Sequence, residues 1–178
     1  MRKPPRVLLD ADTLAKRVRE LGTHVSDDYR ERRLTVVPVL TGSFVFAADL
    51  VRWLSVPVAV DFLGLRSYGN ATETTGVVQI TRDLTESIQG KDVLVVEDIV
   101  DTGLTMDYLL RNLKTRGPRS VRVAALLHKR SRERVSVTID YLGFAIEDVF
   151  VVGYGMDCAG EFRNLPYVGV FAPETESE

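Results

Sequence analysis

The sequence contains very little of several features that define whole classes of protein. Its 178 residues include a single cysteine, Cys158. One thiol can neither close an internal disulfide nor build a cysteine-based zinc site. No apolar run approaches the ~20 residues that a membrane-spanning helix needs, and the first residues, Met1 to Pro5, lack the apolar core of a signal peptide. We therefore expect a cytoplasmic protein that does not bind membranes.

An excess of charge of one sign is also missing. Lysine and arginine number 23 and aspartate and glutamate number 25, so the formal net charge is only −2. This balance gives no electrostatic reason to expect a nucleic-acid partner. Hydrophobic residues make up 45% and charged residues 27% of the chain, close to the globular norm. Without repeats or linkers, the sequence predicts a single domain over residues 1–178.

A dinucleotide-binding fingerprint is absent as well. Gly153 and Gly155 give the first two glycines of such a motif, but the third falls at Gly160 instead of position 158. No helical pattern follows these glycines. The spacing therefore excludes the glycine-rich loop of a Rossmann fold.

The most informative stretch joins a buried strand to a helix. Val93 to Val96 are four apolar β-formers, and such a run is typical of a strand buried on both faces. Glu97, Asp98 and Asp101 follow within five residues. The next apolar residues recur at helical spacing, as Met106, Leu109, Leu110 and Leu113. The three acids thus lie in a strand–loop–helix joint, where open α/β sheets bind ligands.

This joint has two chemically different halves. Thr102, Gly103 and Thr105 offer hydroxyls and free backbone N–H groups at a helix N-terminus, which suit a phosphate. The acids would repel a phosphate, so we expect them to face ribose hydroxyls, Mg²⁺ or a proton in transit. The simpler alternative is a helix N-cap formed by Asp101 or Thr102, with exposed acids beside it.

Strands and helices alternate along much of the chain, which predicts an α/β fold with a mainly parallel, twisted sheet flanked by helices. Asp10 is expected to cap a first helix with a core stripe at Leu14, Val18, Leu21 and Val25. A second helix is expected from Phe44 to about Leu54. The expected strands are 7–9, 34–40, 58–65, 77–80, 93–96, 121–127, 141–144 and 149–152.

Three further segments are candidates for function. The Thr41–Ser43 turn is a second strand-to-helix joint suited to an anion. Residues 66–76 show no apolar periodicity, and loops of this length are usually functional or disordered; a plain hairpin tip is the alternative. Lys129 lies at the end of an expected strand, where a lone basic residue is most often a surface charge.

The run from Glu97 to Thr105 resembles the signature that binds phosphoribosyl pyrophosphate (PRPP) in type I phosphoribosyltransferases, in the form found in the hypoxanthine–guanine branch. The resemblance implies Mg²⁺-dependent transfer of the phosphoribosyl group from PRPP to hypoxanthine or guanine, giving IMP or GMP and pyrophosphate. It also implies a homodimer or homotetramer, a small hood built from the chain ends, and a flexible lid formed by residues 66–76.

The same resemblance implies roles for individual residues. Glu97 and Asp98 would hold the ribose hydroxyls and the metal, and Asp101 would handle the proton at purine N7. Thr41 and Gly42 would contact pyrophosphate, and the Leu40–Thr41 peptide bond is expected to be cis. The residues implied to cradle the 5-phosphate are 101–105, that is Asp101, Thr102, Gly103, Leu104 and Thr105.

On the lid, Ser67 and Tyr68 take the matching positions of the family. Lys129 would donate to the 6-oxo group of the purine, Phe150 would stack on its ring and Val151 would contact its edge through the backbone. The remaining implied ligands are Asp157, for the metal and the base side, and Arg163, for pyrophosphate.

Two alternatives come from other functional classes. A pyrimidine-operon attenuator, an RNA-binding regulator with uracil phosphoribosyltransferase activity, shares the fold and a similar PRPP signature. Asp101, Lys129 and Phe150 argue against it, because they resemble purine-reading residues. A phospho-acceptor signalling domain also places acids at strand ends, but its acid pair should follow the first strand of the chain, whereas Glu97 and Asp98 lie mid-chain.

Overall fold

The computed structural model describes residues 4–70 and 73–171, with the backbone alone for 67–70 and 73–77. The regular structure of this part consists of three α-helices, one short 3₁₀-helix over Arg130–Arg132 and ten strands. The helices are α1 Ala11–Asp28, α2 Phe44–Val51 and α3 Leu104–Lys114. The strands are β1 Arg6–Leu9, β2 Leu34–Leu40, β3 Val58–Val60, β4 Leu63–Asn70, β5 Glu73–Arg82, β6 Asp92–Val100, β7 Ser120–His128, β8 Tyr141–Ala145, β9 Val151–Val152 and β10 Val168–Val170.

The larger sheet has seven strands in the order β5-β4-β2-β6-β7-β8, with β3 also paired to β2. Every pairing is parallel except that of β4 with β5. In β6, Leu94 and Val96 pack in the cluster under α1 and α2, while Val93 and Val95 pack in the cluster under α3. This alternation buries both faces of the strand and confirms the predicted mainly parallel sheet flanked by helices.

The two ends of the chain form a second, smaller sheet. Its order is β1-β10-β9, and both pairings are antiparallel. This arrangement agrees with the expected hood. The predicted strand over 149–152 is shorter than expected, because the N–H of Val149 turns back to the carbonyl of Glu147 at 2.9 Å and only Val151–Val152 pair with β10.

The local signals of the two N-terminal helices are partly confirmed. Asp10 caps α1 by accepting a hydrogen bond from the N–H of Thr13 at 2.7 Å. Helix α2 ends at Val51 instead of about Leu54. After Val51 the chain continues in a tighter turn, in which the N–H of Trp53 donates to the carbonyl of Leu50 at 3.0 Å.

The segment predicted as a lid loop is largely strand. β4 and β5 run antiparallel, with Arg66 opposite Gln79 and Asn70 opposite Glu73, so the expectation of a loop over 66–76 is wrong for most of its backbone. The predicted strands 58–65 and 77–80 overlap β4 and β5, but periodicity did not extend them into this segment because few apolar residues mark it. Residues 71 and 72, between β4 and β5 in the sequence, and residues 172–178 lie outside the described residues. Among the helices that the structure describes, none is long and apolar enough to cross a membrane.

Candidate active site

Strand β6 positions the first two acids of the motif. It continues to Val100 instead of ending at Val96, and its pairing with β7 extends to Val100 opposite His128. Glu97 and Asp98 therefore lie inside a hydrogen-bonded strand, on opposite faces. As a result, Glu97 lines one cavity of about 240 Å³ and Asp98 lines an adjoining cavity of about 490 Å³.

Among the side chains that the structure describes, no basic group forms an ion pair with Glu97 or Asp98. Burial, and then the negative charge of Asp98, raise the pKa of Glu97 well above its ordinary value. Burial also raises the pKa of Asp98, although a hydrogen bond with Glu97 and the N–H of Ile99, at 2.9 Å, act against it. Glu97 Oε2 is buried and accepts no hydrogen bond from any residue that the structure describes. Such an atom indicates a missing ligand.

The first cavity, which we name the phosphate cavity, opens at the N-terminus of α3. Gly103, at φ 80°, precedes the first helical residue, and within the described chain no side chain caps it. The alternative of an N-cap by Asp101 or Thr102 is therefore wrong. The first-turn N–H groups stay available for an anion. The cavity is lined by Val39, Leu40, Thr41, Gly42, Leu65, Glu97, Ile99, Val100, Asp101, Thr102, Gly103, Thr105 and Met106.

A neighbouring segment braces this loop. The carbonyl of Thr102 accepts hydrogen bonds from the N–H groups of Arg134 and Val135, at 2.9 and 3.1 Å. A Cβ on Gly103 would lie 2.1 Å from the carbonyl oxygen of Val135, so only glycine fits there. The chain after β7 thus fixes the shape of the phosphate cavity.

The Thr41–Ser43 turn forms the wall between the two cavities. The Leu40–Thr41 peptide bond is cis, as expected. A Cβ on Gly42 would lie 1.7 Å from Asp98 Oδ2, and a Cβ on Gly155 would lie 2.2 Å from the carbonyl oxygen of Gly42. The buried hydroxyl of Ser43 donates to the carbonyl of Val39 at 2.7 Å. The turn is therefore packed directly against an acid of the site.

The second cavity, which we name the base cavity, gathers most of the remaining predicted residues. Its lining is Thr41, Gly42, Asp98, Ile99, Asp101, Lys129, Arg132, Phe150, Val151, Met156, Asp157 and Arg163. Phe150 is 50% exposed despite its size, whereas Lys129 is buried. An exposed aromatic ring beside a buried ammonium group suits a flat, polar heterocycle.

Asp157 and Arg163 bind each other at the rim of this cavity. Their side chains lie 2.6 Å apart, between Asp157 Oδ1 and Arg163 Nη2. Asp157 Oδ2 accepts the N–H of Gly160 at 2.7 Å, and Arg163 Nη1 donates to the carbonyl of Gly155 at 2.7 Å. Both carboxylate oxygens of Asp157 thus have partners within the chain.

The acidic pair fits a hard divalent cation better than a soft one. Among residues 4–66 and 78–171, whose side chains the structure describes, no three Asp, Glu, His or Cys side chains converge to hold a metal on their own. Mg²⁺ is usually held by one or two carboxylates together with substrate phosphates and water. Glu97 and Asp98, with the unpartnered Oε2 of Glu97, match that requirement.

Comparison with known proteins identifies the family. The family model for the phosphoribosyl transferase domain matches residues 7–159. The chain is 45% identical to hypoxanthine-guanine phosphoribosyltransferase of Mycobacterium avium, covering 94% of this chain and 85% of that one. It is 39% identical to the enzyme of the same name from Bacillus subtilis, covering 94% and 93%. This chain belongs to the phosphoribosyltransferase family.

A solved structure agrees with that assignment. The crystal structure of a hypoxanthine-guanine phosphoribosyltransferase from Bacillus anthracis matches with a TM-score of 0.91 and 42% identity, over 96% of this chain and 100% of that chain. A hypoxanthine phosphoribosyltransferase from Staphylococcus aureus matches with a TM-score of 0.92 and 39% identity, over 97% and 94%. The type I phosphoribosyltransferase fold inferred from the motif is therefore correct.

For this phosphoribosyltransferase, the predicted site residues with described side chains mostly converge on the two cavities. Leu104 lines neither cavity and opens α3 as its first residue. The backbone of Ser67 and Tyr68 pairs with Val78 and Val77 of β5, while their side chains lie outside the description. Their binding roles remain predictions.

Sequence reasoning missed several residues of the base cavity. Ile99 and Met156 are apolar, and no chemical signal distinguishes them from core residues. Arg132 could have been found, because it belongs to a basic run, Lys129 to Arg134, directly after a strand that ends at the site. We return to it below.

Proposed function

We propose that this protein catalyses Mg²⁺-dependent transfer of the 5-phosphoribosyl group from PRPP to N9 of hypoxanthine or guanine, forming IMP or GMP and pyrophosphate. The observation that carries the proposal is the junction of the two cavities, which share Thr41, Gly42, Ile99 and Asp101. A donor sugar in one cavity and an acceptor base in the other would meet at these residues.

The donor would lie with its 5-phosphate in the phosphate cavity. The N–H groups at the start of α3 and the hydroxyls of Thr102 and Thr105 can bind that phosphate. Glu97 and Asp98 would then face the ribose hydroxyls. When bound, Mg²⁺ would neutralise charge on the pyrophosphate leaving group, and these two carboxylates are its candidate ligands.

Breaking the bond from C1 to pyrophosphate leaves positive charge on the ribose and negative charge on the leaving group. Thr41, Gly42 and Arg163 line the base cavity together with Asp98. They are our candidates for binding the pyrophosphate leaving group. The carboxylates of Glu97 and Asp98 would hold the sugar in place while the charge develops.

The acceptor would bind in the base cavity. Phe150 would stack on the purine, Val151 would contact its edge, and Lys129 would donate to its 6-oxo group. As N9 forms its bond to C1, the purine must lose a proton. Asp101, which lines both cavities, would accept or relay that proton as a general base.

The direct test is an ultraviolet assay with PRPP, Mg²⁺ and each of hypoxanthine, guanine, xanthine, adenine and uracil. We expect nucleotide from hypoxanthine or guanine, lost on chelation of the metal. Turnover of uracil alone would favour the attenuator, although the relatives reported above are all named for purine bases. Absence of turnover with every base would reject the proposal.

A homodimer or homotetramer remains part of the proposal. It rests on the family resemblance alone. Light scattering on the purified chain measures the assembly directly, and a monomer at micromolar concentration would contradict it.

A further inference from the structure

Four charged side chains form a continuous row along the rim of the base cavity. Asp101 Oδ1 lies 2.9 Å from Arg132 Nε. Arg132 Nη1 lies 3.5 Å from Asp148 Oδ1, and the same oxygen lies 3.5 Å from Lys129 Nζ. Negative and positive charges therefore alternate from the proposed general base to the proposed 6-oxo donor. Asp148 and Arg132 have no role in the function proposed above.

Backbone bonds fix where this row lies. The N–H of Lys129 donates to the carbonyl of Val100 at 3.0 Å, and the N–H of Arg132 donates to the carbonyl of Lys129 at 3.0 Å. Two residues later, Arg134 is bonded to Thr102 of the phosphate cavity. Arg132 is thus held beside Asp101 by main-chain contacts that do not depend on its own side chain.

The contact between Asp101 and Arg132 is ionic more than directional. Asp101 Oδ1 is shielded from solvent, yet within the described part of the chain no hydrogen bond of good alignment reaches it, although Arg132 Nε is 2.9 Å away. A contact of this kind orients the carboxylate by charge and leaves Oδ1 free to accept a hydrogen bond.

Lys129 depends on Asp148 more strongly than Arg132 does. Its side chain is 9% exposed, whereas those of Arg132 and Asp148 are 39% and 50% exposed. Among residues 4–66 and 78–171, whose side chains the structure describes, Asp148 is its only ion-pair partner. A buried ammonium group needs a counter-charge to stay ionised and in place.

We propose that Asp148 and Arg132 are positioning residues, with Asp148 holding the ammonium of Lys129 and Arg132 holding the carboxylate of Asp101, so that a hydrogen-bond donor and a proton acceptor stand side by side. This inference rests on the proposed function. The acceptor base that fits is one with an oxo group next to a ring nitrogen that exchanges a proton. A base with an amino group in place of the oxo group would place a hydrogen-bond donor against the ammonium of Lys129, which is itself a donor.

The test is a double-mutant cycle on the full chain with Arg132→Ala, Asp148→Asn and the double variant. For Arg132→Ala we expect kcat to fall about fivefold to tenfold with the KM for PRPP unchanged, because the contact positions a group that acts in the transfer step. For Asp148→Asn we expect the KM for hypoxanthine to rise about fivefold, since the ammonium loses its anchor. The double variant should lose less than the product of the two.

Matched controls lie one or two residues away. Arg130→Ala and Glu147→Ala each remove an exposed charge of the same sign, and neither side chain forms an ion pair within the described ranges. Both should stay within about twofold of the unmodified chain. Arg132→Lys and Asp148→Glu should recover part of the loss, which a purely structural role would not predict.

The outcomes separate the two proposals. Turnover by the unmodified chain, with Arg132→Ala and Asp148→Asn no worse than their controls, overturns this inference alone. Equal losses in kcat and in melting temperature, without recovery by the conservative variants, also overturn it. No turnover by the unmodified chain rejects the proposed function and this inference together.

Discussion

The buried carboxylates near the two ends of strand β6 differ in the partners that the protein supplies to them. At its start, Asp92 is 1% exposed, but Ser120 donates its hydroxyl to Asp92 Oδ1 at 2.7 Å and Arg119 pairs with Oδ2 at 3.2 Å. Near its end, Glu97 Oε2 is buried without a partner among the described residues. The same strand thus carries one acid whose partners belong to the protein and another with an oxygen left free to bind a ligand.

This difference separates structural from functional carboxylates. A buried charge is costly unless it is paired, so an acid that serves the fold carries its own donors. An acid that serves a ligand keeps its acceptor free, and the folded chain bears the cost until the ligand arrives.

The largest effect is expected at Asp101, which lines both cavities. Asp101→Asn removes the proton acceptor while keeping the shape of the side chain. Turnover should fall by roughly 10² to 10⁴, the usual contribution of a general base, while PRPP binding stays largely intact. Steady-state kinetics and PRPP titration measure the two effects separately. Near-normal turnover would show that Asp101 does not act as the base.

Glu97→Gln should reduce turnover strongly without harming the fold. The substitution neutralises a carboxylate whose pKa burial and Asp98 raise, and so removes an unfavourable buried charge. In the absence of ligand, the melting temperature should stay level or rise. We expect the stabilisation by PRPP with Mg²⁺, seen as a shift in melting temperature, to shrink by more than half. A marked loss of stability in the free protein would place Glu97 among the structural acids.

The sequence alone predicted much of this site because its signal is local. Glu97 to Thr105 lie in one short stretch, and a buried strand followed by a helix fixes how the stretch is presented. The change from a continuous apolar run in β6 to apolar residues at helical spacing in α3 likewise predicted that a helix follows the strand. The Leu40–Thr41 cis peptide followed from the family resemblance.

Other features could not be read because they depend on contacts between distant segments. Asp148 meets Lys129 only when β7 and the segment before β9 come together. Gly103 takes the place expected for a polar cap because Val135, from a later segment, leaves no room for a Cβ. The hairpin of β4 and β5 is held by cross-strand pairing, which a periodicity of apolar residues does not report.

At the opposite end of β6, Asp92→Ala should have the reverse effect. It leaves the Ser120 hydroxyl and one donor of Arg119 without their acceptor, at a cost of about 2 kcal/mol in the free energy of unfolding. Turnover at a temperature where the variant is folded should not change. Urea unfolding and the ultraviolet assay test the two parts, with Glu97→Gln as the reciprocal control. A loss of turnover without a loss of stability would remove the contrast between the two ends.

Asp61 offers the smallest and most specific test, through pH. Burial raises the pKa of its carboxyl, but the backbone N–H and hydroxyl of Thr85 and the N–H groups of Glu86 and Phe62 outweigh that, so the pKa lies below its ordinary value of 3.8. Its oxygens accept these bonds at 2.7 to 3.2 Å. A carboxyl whose pKa is lower in the folded than in the unfolded state stabilises the fold at pH values above the unfolded pKa. This stabilisation is lost as the pH falls from the unfolded pKa through the folded pKa.

Asp61→Asn should therefore cost about 1 kcal/mol at neutral pH, since an amide accepts these bonds less strongly than a carboxylate. The difference from the unmodified chain should narrow as the pH falls from the ordinary value of 3.8 toward the lower pKa of the folded protein, below which the native carboxyl is also protonated. Urea midpoints measured at neutral and at acidic pH would show this. A difference in the free energy of unfolding that stays constant with pH would mean that the charge of Asp61 does not contribute to stability. In that case, having all its hydrogen bonds satisfied would not be enough to distinguish a structural acid such as Asp61 from Glu97.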